Sequence, residues 1–189
     1  MQNIAWRDFS FSGNYINGRF VIPEHPNSYL EKRDPGNTKD LIVSLPVYFP
    51  HAEEAVQSAK DVFEKWSSLD GKTRLEMLGR LKNSLEMLSP WLVELTSREL
   101  GRPIWDSKQE VELALNDINE LFRQFGSYTP FDGSVLDDSK EVIQLYKPNG
   151  VVAVIAPFNQ PVLYPIRSIV SSLLIGNTVV YKPSEHTPL

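Results

Sequence analysis

Residues 151–155 read VVAVI and residues 178–181 read TVVY, and turn residues bound both apolar runs. A short, continuous apolar run between turns is typical of a strand covered on both faces of a parallel sheet. The residues between the runs predict a helix over 161–175 that ends at Gly176-Asn177. Strand, helix and strand in this order form one crossover unit, so the sequence predicts the beginning of an open parallel sheet.

Several helical stretches precede this unit. Apolar residues at helical spacing predict a first helix over 51–66. A leucine stripe predicts a second helix over 72–88, and Ser89-Pro90 predicts a new helix start, because serine caps helices and proline suits their first turn. A third helix is expected over 104–125, where a glycine follows it.

Short strands and turns flank the helices. Residues 131–140 are polar and predict a loop, and residues 142–146 predict a strand. We therefore expect four parts of the chain: an arm of short strands over 1–50, helices over 51–139, a strand and turn of the kind used in oligomer contacts over 140–150, and the first strand-helix-strand of a sheet over 151–189.

The composition excludes several classes of function. The 189 residues include no cysteine, which excludes disulfides, thiolate metal ligands and thiol nucleophiles. The three histidines lack partners at metal-ligand spacing, so we expect no metal site. A formal net charge of -5 without a basic block argues against nucleic acid. No apolar run approaches the ~18 residues that cross a bilayer. We expect a cytoplasmic protein that binds neither nucleic acid nor membrane.

The first candidate site lies in the turn after the strand over 151–155. Loops at the carboxyl ends of parallel strands bind ligands in open α/β sheets. Asn159 in this turn could donate its side-chain amide to an oxyanion, and removal of a comparable donor costs on the order of 3 kcal/mol. Alternatively, Asn159 caps the following helix, and local chemistry alone favours that structural role.

The second candidate site follows the next strand. Lys182 and Glu185 stand three positions apart and could grip neighbouring ribose hydroxyls, and a carboxylate there would repel a 2′-phosphate. The alternative is a surface ion pair that contributes almost nothing to stability. Thr187-Pro188 predicts the cap and first residue of a further helix.

These two sites stand in the order and spacing seen in aldehyde dehydrogenases, and essentially the whole chain resembles the first portion of that family. The resemblance is close over 147–161 and 174–188 and weaker upstream, at Ile16-Asn17-Gly18, Asp34-Pro35-Gly36, Arg74 and Glu99-Leu100-Gly101-Arg102-Pro103. It implies an α/β fold in which a strand arm and helices precede an incomplete NAD(P)-binding sheet. It further implies the amino-terminal part of an enzyme that oxidises an aldehyde to the acid, as a homo-oligomer or completed by a missing carboxy-terminal part.

The resemblance also implies roles for individual residues. Asn159 matches the asparagine that stabilises the oxyanion, and Glu185 favours NAD over NADP. Seven positions match those that bind the cofactor: Ile155, Ala156, Pro157, Phe158, Lys182, Ser184 and Glu185. Three positions match those that face the substrate, although the first departs from the commoner aromatic: Gln160, Tyr164 and Arg167. Arg167 stands where relatives that oxidise semialdehydes bind a distal carboxylate, so a carboxylate-bearing semialdehyde of the succinylglutamate or succinate type is the implied substrate.

The family's reaction needs a thiolate that attacks the aldehyde and a glutamate that activates water. This chain has no cysteine, and the family's later Gly-rich turn and general-base glutamate have no counterpart in it. We therefore expect the chain alone to be inactive. Two alternatives are a non-catalytic module for dinucleotide binding or assembly, and a structural partner that uses the strand over 142–146 for oligomer contacts.

Overall fold

A computed structural model describes residues 12–127, 134–137, 140–142 and 147–189. Two strand hairpins come first, followed by three long helices, a short hairpin and a strand-helix-strand unit. This order of elements confirms the predicted α/β class and the amino-terminal arm of strands.

The first hairpin of the arm is tight. Strands β1 (Asn14–Ile16) and β2 (Arg19–Val21) pair antiparallel around Asn17 and Gly18, which have positive φ angles of 51° and 75°. Asparagine and glycine tolerate this left-handed backbone, and together they give the two-residue turn whose twist suits a hairpin. The local sequence therefore suffices to form this turn.

The second hairpin of the arm is longer and contributes to the core. Strands β3 (Ser28–Asp34) and β4 (Asn37–Val47) pair antiparallel along their length. The buried apolar residues of this hairpin all lie on β4: Ile42, Val43 and Leu45.

Helices α1 (Pro50–Ser67) and α3 (Ile104–Ser127) lie where their periodicity predicts them. Helix α3 includes Gly126, the residue that follows the helix in the prediction. Helix ends fray, so a difference of this size changes nothing in the packing.

Helix α2 (Gly71–Leu100) is a single helix of 30 residues, and the predicted new start at Ser89-Pro90 is wrong. Proline leaves the carbonyl four positions before it without its usual amide donor. Here that carbonyl belongs to Glu86, and the Ser89 hydroxyl donates to it at 2.9 Å. The serine thus supplies the donor that Pro90 lacks, which allows the helix to continue.

A short hairpin follows α3. Strand β5 (Ser134–Asp137) pairs antiparallel with β6 (Lys140–Val142). The loop predicted over 131–140 is therefore wrong for β5 and for Lys140, the first residue of β6. Strand β5 reads SVLD, and its central apolar residues suit a strand once β6 supplies ladder hydrogen bonds. The strand predicted over 142–146 overlaps β6 only at Val142, the last residue of β6. Residues 143–146 lie outside the described residues.

The carboxyl-terminal unit is the predicted crossover. Strands β7 (Val151–Ile155) and β8 (Thr178–Lys182) are parallel and are connected by helix α4 (Leu163–Ile175). The helix begins two residues later than the predicted position 161 and ends at Gly176, whose φ of 103° favours a residue without Cβ.

One expectation for this unit is wrong. The apolar run predicts that β7 is covered on both faces, but Ala153 is exposed and 75% of Ile155 is exposed. The described residues supply only two strands to this sheet, and one face of β7 stays open. The Thr187 amide donates to the Ser184 carbonyl at 3.2 Å and closes a turn, and the helix start at Thr187-Pro188 stays a prediction.

The core lies between α2, α3 and α4. Its centre consists of four side chains that are at most 4% exposed: Leu78, Ile118, Val170 and Leu174. Truncation of such a side chain to alanine costs about 2–5 kcal/mol. A second cluster packs the beginning of α4 against α3, and it consists of Val111, Ala114, Val162 and Leu163. This second contact fixes where α4 begins.

Arg74 joins the corner between α1 and α2 to the end of α4. Its guanidinium donates to the carbonyls of Leu174 at 2.9 Å, Ser67 at 3.3 Å and Leu69 at 2.5 Å. These are carbonyls at the ends of helices or in the corner, and they have few other donors. Burial lowers the pKa of Arg74 from its ordinary value. Arg74 therefore serves as a shared carboxyl-terminal cap.

Candidate functional site

The carboxyl ends of β7 and β8 lie side by side. Their ladder continues past β7, since the Ala156 amide donates to the Lys182 carbonyl at 3.2 Å. The turns that follow the two strands therefore open at the same edge of the sheet. The rings of Phe158 and His186 meet there edge to face, with centroids 5.3 Å apart. The two candidate sites of the sequence are thus neighbours.

Asn159 lies in the turn that leads from β7 into α4. The residue is exposed, and its backbone carbonyl accepts a hydrogen bond from Arg102 Nη1 at 3.3 Å. The N-cap of α4 is Val162, and no side chain of the cap residue bonds to the helix. The hypothesis that Asn159 caps α4 is therefore wrong, and its carboxamide is not used for that purpose.

Glu110 of α3 caps α4 instead. Its Oε1 accepts hydrogen bonds from the amides of Val162 at 2.8 Å and Leu163 at 3.0 Å, and only 3% of Glu110 is exposed. A carboxylate suits this position because the free amides of a helix amino terminus carry partial positive charge. The first amides of α4 are thus taken by the protein's own carboxylate.

Arg102 links this cap to the Asn159 turn. Its Nη2 pairs with Glu110 Oε2, its Nε donates to Ser107 Oγ at 2.9 Å, and its Nη1 donates to the Asn159 carbonyl. The Arg102 side chain is 14% exposed. A planar guanidinium holds several acceptors in fixed directions, which an ammonium group cannot do.

The turn after β8 presents a pair of opposite charges. Lys182 Nζ lies 3.6 Å from Glu185 Oε2, and both side chains are 60% exposed. A hydrogen bond from its own backbone amide, followed by the Lys182 charge, lowers the pKa of Glu185. Ser184 is buried, and its hydroxyl accepts a hydrogen bond from the His186 amide at 3.2 Å. Lys182 and Glu185 are therefore accessible to a ligand, whereas the Ser184 hydroxyl stabilises the turn.

Three further candidates lie in the turn before α4 and on the helix itself: Gln160 in the turn, and Tyr164 and Arg167 on α4. Tyr164 and Arg167 stand three positions apart and therefore lie on the same face of the helix. Arg167 Nε pairs with Asp117 of α3, and this carboxylate raises the pKa of Arg167 from its ordinary value. Since 53% of the Arg167 side chain is exposed, a ligand can still reach the guanidinium.

The described residues contain neither a metal-binding cluster nor a membrane-spanning helix. No group of three or more acidic, histidine or cysteine side chains there is arranged to hold a metal ion. Among the helices of the same residues, none combines the length and apolar character that spanning a membrane requires.

Comparison with known proteins decides the family. The model of the aldehyde dehydrogenase family matches residues 22–189. The chain belongs to the aldehyde dehydrogenase family. Members of this family are NAD(P)-dependent enzymes that oxidise aldehydes.

Individual relatives agree with this assignment. An N-succinylglutamate 5-semialdehyde dehydrogenase of Novosphingobium aromaticivorans is 34% identical over 138 residues, which are 72% of this chain and 29% of that protein. The enzyme of the same name from Enterobacter sp. is 30% identical over 174 residues, 92% of this chain and 34% of that protein. The crystal structure of a 1-pyrroline-5-carboxylate dehydrogenase from Thermus with bound NAD shares the fold, with a TM-score of 0.83 at 23% identity, over 93% of this chain and 34% of that one.

The aldehyde dehydrogenase chain spans about a third of the length of the curated relatives it matches. Over that span the structure places Asn159 and the Lys182–Glu185 pair at one sheet edge, with Tyr164 and Arg167 on α4 and Gln160 in the turn before it. The sequence reasoning missed three charged residues of the site: Arg102, Glu110 and Asp117. One signal was present, because Glu110 lies four positions before Ala114 on the buried face of α3, and a carboxylate on such a face needs a partner.

Proposed function

We propose that this chain is the amino-terminal part of an NAD-dependent aldehyde dehydrogenase that oxidises a carboxylate-bearing semialdehyde to the acid. The observation that carries the proposal is that the turns bearing Asn159 and the Lys182–Glu185 pair open at one edge of the sheet, where the Ala156 amide donates to the Lys182 carbonyl and the rings of Phe158 and His186 are in contact. Ligands of open α/β folds bind at such edges. The relatives that bear the name of a semialdehyde dehydrogenase support the substrate class.

Asn159 is the proposed oxyanion donor. Its carboxamide is exposed in the turn and is not used for capping, so it is available to a substrate carbonyl that becomes negatively charged. A donor that meets the charge only as it develops lowers the barrier, and a single such donor is worth on the order of 3 kcal/mol.

The residues around the edge fit a dinucleotide. Lys182 and Glu185 are exposed and offer a donor and an acceptor for the two hydroxyls of an adenosine ribose. The strand end and turn over 155–158 would line the cofactor with backbone and apolar surface. A nicotinamide cofactor bound at this edge would supply the hydride acceptor for the oxidation. The negative charge of Glu185 favours NAD, because it repels the 2′-phosphate of NADP.

The face of α4 is the proposed substrate wall. Arg167 would bind the distal carboxylate of the semialdehyde through the guanidinium nitrogens that its pair with Asp117 leaves open. Gln160 and Tyr164 lie between Arg167 and the Asn159 turn, so the aldehyde end of an extended substrate would point towards Asn159.

The oxidation also needs a thiolate, and none of the 189 residues is a cysteine. We therefore propose that the chain by itself does not oxidise aldehydes and that the nucleophile comes from another polypeptide segment. Assembly into a homo-oligomer is part of the same proposal.

The proposal is tested with a chimera in which residues 1–189 replace the matched third of the Enterobacter sp. enzyme. Formation of NADH from N-succinylglutamate 5-semialdehyde is followed by absorbance, beside the isolated chain. We expect turnover by the chimera, none by the isolated chain, and a rise in KM for the semialdehyde after Arg167→Ala. A soluble, folded chimera that binds NAD but turns over no aldehyde would contradict the proposed function. Full activity of the Arg167→Ala chimera on the semialdehyde would contradict the proposed substrate.

A further inference from the structure

The turn that carries Asn159 is held from outside its own helix. A local cap, such as a serine or aspartate just before α4, would tie the turn only to the helix that follows it. In this chain the cap is Glu110, 52 positions earlier in the sequence, and it belongs to α3. The turn is therefore attached to the neighbouring helix α3 and not only to α4, the helix that follows it.

The same carboxylate is joined to the turn by a second path. Arg102 binds Glu110 through one nitrogen and the Asn159 carbonyl through another, and Ser107 accepts from the third. Glu110 thus holds the turn after Asn159 at the amides of 162 and 163, and Arg102 holds it at Asn159 itself. Both sides of the turn are attached to one buried ion pair.

Stability alone is a weak reason for such a pair. Burying two charges has a large desolvation cost, and well-packed apolar residues often replace a buried ion pair without loss. The pair instead fixes the relative orientation of the groups around it. The Glu110 carboxylate accepts three hydrogen bonds, and the Arg102 guanidinium donates to three acceptors. Directional contacts of this kind matter where a displacement of about 1 Å changes a reaction rate.

We propose that Glu110 and Arg102 are positioning residues that hold Asn159 in place for the developing oxyanion. Glu110 takes over the capping of α4, which leaves the Asn159 carboxamide available, and Arg102 fixes the backbone to which that carboxamide is attached. The role in oxyanion stabilisation rests on the proposed function. The attachment of the Asn159 turn to Glu110 and Arg102 does not, because it is a property of the chain itself. Neither residue contacts substrate in this assignment.

The absence of cysteine makes a direct test possible. Cysteines introduced by Asn159→Cys and Asn119→Cys, both at exposed positions, carry nitroxide labels, and pulsed electron paramagnetic resonance gives the distribution of distances between the turn and α3 in the full chain. The test variants are Glu110→Gln, which removes the negative charge, and Arg102→Lys, which keeps the positive charge but removes the planar guanidinium with its several donors. The matched control is Glu112→Gln, which breaks the exposed pair with Lys108 on the same helix.

We expect both test variants to shift or broaden the distance distribution by more than about 1 Å, while the control keeps that of the parent. Circular dichroism well below the melting transition checks that each variant is folded, and its melting temperature is measured in parallel. An unchanged distribution in a folded Arg102→Lys variant overturns the proposal, even if its melting temperature falls, because the pair would then serve stability only. If Glu110→Gln does not fold, Arg102→Lys decides. The measurement uses neither cofactor nor substrate, so its failure is distinguishable from a failure of the chimera assay.

Discussion

Glu99 offers the sharpest test of the packing between α2 and the carboxyl-terminal residues. Only 3% of it is exposed, and its Oε1 accepts a hydrogen bond from the Leu189 amide at 3.2 Å. Burial raises the pKa of Glu99 to about 7, against the opposing effects of that amide and of the Lys32 charge. The substitution Glu99→Gln keeps an acceptor for the amide and removes the charge, so it isolates the cost of ionising a buried carboxyl group.

The magnitude follows from the two pKa values. In the unfolded chain the glutamate titrates near 4.5, and in the folded chain near 7. Below pH 4.5 both states are protonated and Glu99 has no pH-dependent effect. Between these values the unfolded chain loses its proton first, so the free energy of unfolding falls as the pH rises. Above pH 7 the loss is complete, and it amounts to about 3 kcal/mol at 1.36 kcal/mol per pKa unit.

The assay is urea or thermal unfolding of the parent and of Glu99→Gln at pH 5 and pH 8. We expect little difference between them at pH 5 and a more stable variant at pH 8, by up to about 3 kcal/mol, or about 6–12 °C for a chain of this size. The control is Glu76→Gln, an exposed glutamate on the same helix, which is expected to change neither value. An equal effect of Glu99→Gln at both pH values, or a loss of stability at pH 8, refutes the reasoning.

Four further outcomes are expected. Arg74→Met leaves three carbonyls without their donor and lowers the free energy of unfolding by roughly 2–4 kcal/mol in urea titration, and Arg74→Lys restores only part of it. Gly176→Ala places a side chain at a φ of 103° and costs at least about 1 kcal/mol. Gly79→Ala, inside α2 with nothing within 4 Å of the added Cβ, gains up to about 1 kcal/mol, and equal signs for the two would contradict the backbone argument. In the chimera, Glu185→Gln lowers the preference for NAD over NADP in kcat/KM on the order of tenfold, and an unchanged ratio removes Glu185 from cofactor choice.

The elements with a clear period could be predicted, and the exceptions have local causes. The helices over 51–66 and 104–125 and the crossover unit follow from spacing and turn residues that act within a few positions. Pro90 by itself predicts a helix start, but α2 continues because the hydroxyl of Ser89 replaces the missing amide. The open face of β7 could not be predicted, because an apolar run does not indicate how many strands and helices pack around a strand. The division into four parts stays a prediction.

Only the part of the site that follows from the topology of the sheet could be predicted from the sequence. Parallel strands deliver their carboxyl ends to one edge, which is why Asn159 and the Lys182–Glu185 pair are found together. The contacts of Glu110 with α4 and of Arg167 with Asp117 span about fifty positions and leave no periodic signal. They depend on how α3 and α4 pack against each other, and local patterns in one sequence do not show which residues that packing brings together.

The core between α2, α3 and α4 also bears on the order of events during synthesis. Its most buried side chains lie between Leu78 and Leu174, so all of them have been made before the first residue of β8 is added. Chains emerge from the ribosome amino terminus first, at about 5–20 residues per second. A nascent chain whose first 175 residues have left the exit tunnel already contains every member of this cluster, and β8 emerges after them.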